Sequence, residues 1–131
     1  MPLEIGNSFV NKQAGLYLPH LWIIISHPSI NPEQIAIVNI TSWRDKAIGL
    51  NDSSCIVSKG EHKFVTKKSY IFYREAQLTS AEKLQTAIDG GVLVLQDNCT
   101  KDLLDKILAG AAQSPFTPIG IIEILRQQEL I

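Results

Sequence analysis

The chain is short of the residues that mark several classes of protein. Two of its 131 residues are cysteine and one is methionine. Cys55 and Cys99 lie far apart without CxxC spacing. That excludes a multi-bridge disulfide framework and the common zinc signatures, and it fits reduced thiols in a cytoplasmic protein. Charge of one sign is not in excess either. Lys plus Arg number 12 against 13 for Asp plus Glu, a formal net charge of -1, so any contact with nucleic acid or a membrane has to use a local patch. There is no long hydrophobic run. The strongest, "LWIII" at 21–25, falls far below the roughly 20 residues of a spanning helix. The first residues, "MPLEIGNSF", have no basic segment leading into an apolar one, which speaks against a secretory signal. What the chain does have is 45% hydrophobic content. Over this length that suffices for one core and is short for two, so residues 1–131 are expected to form a single domain.

The first half reads as strands. "LWIII" is bulky and β-branched and runs into "SHPSINPE", where Pro28 and Pro32 prohibit a helix. "QIAIVNITSW" at 34–43 alternates, with Ile35, Ile37, Asn39 and Thr41 on one face and Ala36, Val38, Ile40 and Ser42 on the other. "SCIVSKG" at 54–60 and "KSYIFYREAQLT" at 68–79 are further strands, with "GEHKFVTKK" between them as a turn and hairpin arm. The period then changes. Thr79 and Glu82 stand in capping-box spacing ahead of Leu84, Ala87 and Ile88, with Gly90 and Gly91 as the stop, which predicts a helix near 80–89. "VLVLQ" at 92–96 reads as a short strand. Thr100 caps a helix that Gly110 ends, and a last helix is expected near 118–128. A small, strongly bent antiparallel β-barrel over the first 79 residues, followed by a helical part over 80–131, is the expected architecture.

"HLWIIIS" followed by "IAIVNITS", and then "KKSYIFYREAQLTSAEKL", together resemble the MazF/PemK (Kid-like) toxins of bacterial toxin–antitoxin modules over residues 16–85. The resemblance implies an SH3-like barrel, a homodimer, a small antitoxin protein as partner, and metal-independent cleavage of single-stranded RNA through the ribose 2′-hydroxyl. The family pairs an Arg ahead of the second strand with a Ser or Thr closing the third. Thr41 matches the latter, with Ser42 beside it, while the Arg position falls on Pro19 or His20.

Such cleavage needs a base for the 2′-hydroxyl, an acid for the leaving oxygen and donors for the growing charge. Imidazole suits either proton-transfer role. His20 is therefore expected to stand in for the Arg, with Thr41 as hydroxyl donor in the same groove and His62 as a second imidazole. Each histidine taken alone also fits a locally bonded or solvated residue. Residues 59–74 interleave Lys63, Lys67, Lys68 and Arg74 with Phe64, Tyr70 and Phe72. With Ser42, Lys63, Lys67, Lys68, Tyr70 and Arg74 form the expected RNA contacts, although aromatic strand residues are often core and edge lysines often only solvated. Cys55 in "DSSC" lacks a base at known spacing and is expected to be buried. His20, His62 and Cys55 fit no metal signature, so neither metal nor cofactor is expected. The alternative is a non-catalytic, protein-binding module of the same fold, as in gyrase-poisoning toxins. That class is characterised by a Trp-Gly-Ile end, whereas this chain closes on "QQELI".

Overall fold

The computed structural model describes residues 2–12, 20–45 and 51–131. Its strands are β1 (Ser8–Asn11), β2 (Leu21–Ile24), β3 (Ile35–Ser42), β4 (Ile56–Val57), β5 (Ser69–Ile71), β6 (Gln77–Thr79) and β7 (Leu93–Gln96). Its helices are α1 (Ala81–Asp89), α2 (Lys101–Gln113) and α3 (Ile119–Gln127). The strands form one sheet in the order β4-β5-β3-β2-β1-β7, with β6 added on β3, and every pairing is antiparallel. The sheet is open, and among the described residues β4 and β7 are its unpaired ends.

Alternation along β2 and β3 decides what each face meets. Leu21, Ile23, Ala36, Val38 and Ile40 pack with Leu103 and Ile107 of α2 and with Ile121 and Leu125 of α3. Ile24, Ile35 and Ile37 point the other way, with Phe9 and with Leu84 of α1. Apolar residues on both faces of β3 explain its almost continuous hydrophobic run, as expected for a strand covered on both sides.

Several sequence expectations change in detail. The strand expected at 54–60 is reduced to Ile56–Val57, and the expected hairpin arm at 60–68 is a run of turns. The strand expected over 68–79 is interrupted by a 3-10 turn at Tyr73–Glu75. Ile40 pairs with Ile71 and Ile37 with Gln77, so the turn is an excursion that buries Tyr73 and lifts Arg74 and Glu75 outward. The first helix is capped by Ser80, whose side chain accepts from Lys83 N–H, and not by Thr79, which is held in β6 opposite Ile35. Gly110 does not end its helix, which continues to Gln113. It is glycine for lack of room, because a Cβ there would meet the Tyr73 hydroxyl, Cys55 Cβ at 2.8 Å and the Ser54 carbonyl at 2.9 Å. The strand at 93–96 pairs with β1, so the sheet reaches beyond residue 79.

One side chain reaches from the β4–β5 connection to the β1–β7 end of the sheet. His62 lies in the connection between β4 and β5, yet its Nε2 reaches Ser8 Oγ in β1 at 3.0 Å and the Asp97 carbonyl just after β7 at 2.7 Å. The sheet stays open, and this side chain ties the β4–β5 connection to its β1–β7 end.

Candidate functional site

The end of β3 is where polar side chains gather, and the pleat sorts them. Ile40 and Ser42 point to one face, Asn39 and Thr41 to the other. On the first face a cleft of about 340 Å³ is lined by His20, Ser42, Ser69, Lys67, Thr66 and Phe64, among others. His20 enters it from just ahead of β2. Its ring turns back on the sheet, and Nδ1 lies 3.3 Å from the Ile40 carbonyl. A carbonyl only accepts, so this bond places the ring proton on Nδ1 and leaves Nε2 as the basic nitrogen. Nε2 has no protein partner among the described residues. Ser69 is turned aside, its hydroxyl donating to the Lys67 carbonyl at 2.9 Å. Lys67 is exposed at the rim.

Three of the expected site residues, His20, Ser42 and Lys67, thus come together from separate segments. The others do not join them. Thr41 does not line this cleft, and its hydroxyl donates to Asn39 Oδ1 at 2.9 Å on the opposite face. The expected His20–Thr41 groove fails for a simple reason. Neighbouring strand residues point oppositely, and it is Ser42 that shares the His20 side.

His62 was expected either as a second imidazole in the groove or as a solvated residue, and it is neither. It is buried, 5% exposed. Its Nδ1 accepts from Phe64 N–H at 3.0 Å, so the neutral ring carries its proton on Nε2 and donates it to the Asp97 carbonyl, which also accepts from the Ser8 hydroxyl. Both nitrogens are used in holding the fold. Lys63 points to the same corner, 3.8 Å from the Asp97 carboxylate, with both partners exposed.

Tyr70, Lys68 and Arg74 also lie outside the cleft. Tyr70 is opposite Thr41 in the register, and its ring is buried between Trp43 and Phe72 at centroid distances of 5.9 and 5.8 Å. Lys68 sets its ammonium 4.1 Å from the Trp43 ring centre, and Arg74 lies over Phe116 at 4.3 Å. Pro19, the alternative Arg position, is outside the described residues. Cys55 is buried as expected, and among the described residues no cluster of three or more His, Cys, Asp or Glu could hold a metal. No helix among them is long and apolar enough to cross a membrane.

Comparison with protein-family models, curated proteins and solved structures gives no match to this chain.

The structure adds two residues that the sequence reading passed over. Asn39, 1% exposed, donates from Nδ2 to Glu75 Oε1 at 3.4 Å and thereby links Thr41 to Glu75. The signal was present as a lone amide inside the apolar run "IAIVNIT". Buried polar side chains need partners, and this one finds its partner on the 3-10 turn.

Proposed function

We propose that the chain is a MazF/PemK-like toxin of a toxin–antitoxin pair, an endoribonuclease that cleaves single-stranded RNA without metal at the His20 cleft. The observation that carries this reading is the meeting of His20, Ser42 and Lys67 in one cleft, with His20 Nε2 without a protein partner among the described residues. Nε2 takes the proton of the ribose 2′-hydroxyl while O2′ attacks phosphorus. The bond to the 5′-oxygen breaks, the imidazolium returns the proton to that oxygen, and a 2′,3′-cyclic phosphate remains. Lys67 and the Ser42 hydroxyl face the charge that grows on the phosphate. The reach of His62 from the β4–β5 connection to β1 and the end of β7 supports a small barrel of the SH3-like kind. Leu78, Phe116 and Ile119, exposed at 39%, 42% and 72%, support a homodimer.

The test is incubation of the purified protein with a broad panel of single-stranded RNAs in chelator. Cleavage to cyclic phosphate is expected, and His20→Ala should lower the rate about 100- to 10,000-fold. The non-catalytic binding module is the second reading, favoured because His62 and Thr41 are committed elsewhere and leave one imidazole in the cleft. Intact RNA across the panel, together with capture of a protein encoded beside this one, would replace the first reading with the second.

A further inference from the structure

The face of the sheet opposite the His20 cleft carries a second polar group with aromatic walls. Asn39 stands beside Trp22 in the register of β2 and β3, and Thr41 beside Tyr70 in that of β3 and β5. Phe72 directly precedes the turn that carries Glu75, and its N–H donates to the Asn39 carbonyl at 3.0 Å. Buried Asn39 acts as a splint: it accepts from Thr41 and donates to the exposed Glu75. Glu75 is thus held against the sheet by one oxygen, and its second oxygen has no protein partner among the described residues. Trp22, in register with Asn39, and Trp43 and Phe72, which flank the Tyr70 ring, are each partly exposed.

We infer that this face is a nucleobase subsite that selects guanine in the single-stranded RNA, and the inference rests on the proposed reading of the cleft as a site for single-stranded RNA. Carboxylate oxygens accept and do not donate, and they accept best from two parallel donors. Guanine alone among the four RNA bases offers two adjacent donors, N1–H and N2–H, on its Watson–Crick edge. Adenine and cytosine each present an acceptor beside the donor, and uracil flanks its one donor with two acceptors. Aromatic rings at the rim supply the stacking on which single-strand binding depends. Charge on the page favours the same ligand. Lys67 in the cleft and Lys68 over Trp43 are consecutive residues serving the two faces, so a strand passing round this end of the sheet meets a cation on each side.

The experiment separates this inference from cleavage by using RNA that cannot be cut. Binding of the full chain to 2′-O-methyl pentanucleotides, U5 and U5 with one central G, A or C, is measured by fluorescence anisotropy. The central G should tighten binding about tenfold, the discrimination of one good bidentate pair. Glu75→Gln should bring the G oligonucleotide to within twofold of U5 while leaving U5 affinity unchanged. That pattern differs from misfolding, which would weaken both. Phe72→Leu should weaken all four oligonucleotides together. Equal affinity for the four bases, or a guanine preference that survives Glu75→Gln, overturns the subsite. A guanine preference in a protein that cuts no RNA upholds it while removing the nuclease reading. Failure to bind any of the oligonucleotides overturns both.

Discussion

Gly110 shows how a residue can be visible in the sequence while its reason is not. A glycine after "LLDKILA" has the form of a helix stop. In the structure it is the place where α2 meets the Tyr73 hydroxyl and Cys55, and Tyr73 donates to the Ile107 carbonyl at 2.5 Å. A contact between residues so far apart in sequence leaves no local trace. Gly110→Ala should therefore destabilise by about 1–3 kcal/mol through overpacking, even though alanine is the better helix former, and urea unfolding would measure it. The same packing fixes the thiols. Burial pushes Cys55 up from 9.0 to about 11 and Cys99 to about 12, in Cys55 against the pull of the Lys106 ammonium. The folded state thus keeps these protons to higher pH than the unfolded chain does. Their contribution is complete below pH 9.0 and is lost as the pH rises toward about 11 and 12. Denaturation midpoints should fall across that alkaline window, and Cys55→Ala should flatten the first part of the fall.

At the scale of elements, period and punctuation made most of the fold readable. β2, β3, β7, α1 and α3 lie where alternation, helical spacing and the prolines put them. What was not readable is register. The run "KSYIFYREAQLT" has strand composition throughout, but only pairing with the two halves of β3 shows that Tyr73–Glu75 must step out of line. The site suffered similarly. Thr41 and Ser42 are both hydroxyl residues at the end of one strand, and choosing between them required knowing which face His20 joins. The cap at α1 offers a direct check. Ser80→Ala should cost about 0.5–2 kcal/mol and Thr79→Ala much less, because only the Ser80 side chain accepts an orphan N–H of the first turn. Calorimetry of the two variants would distinguish the capping residue from its neighbour.

For the whole molecule, the connection between β4 and β5 does more than its turns suggest. Glu61 accepts from Lys106 of α2 at 2.7 Å through both oxygens, and Lys106 also donates to the Ile56 carbonyl. Burial alone would raise the Glu61 carboxyl, but Lys106 and the Ser58 N–H outweigh it and hold it below its ordinary 4.5. Its contribution is present above that value and declines as the pH falls below it. Lys106→Met should shift the acid unfolding midpoint upward. The next residue, His62, fills three hydrogen-bonding roles between that connection and the β1–β7 end of the sheet. His62→Ala should lose about 1–3 kcal/mol through its unpaired buried partners, a loss that thermal unfolding would register.

That imidazole also ties two regions into one moving part. Phe64, in the cleft wall, donates to the same ring that grips the carbonyl after β7, so the wall cannot swing out without straining the far rim of the sheet. Amide hydrogen exchange should report this as one opening event shared by 62–67 and Leu93–Gln96. A ligand seated beside His20 would then slow deuterium uptake in a strand it never touches.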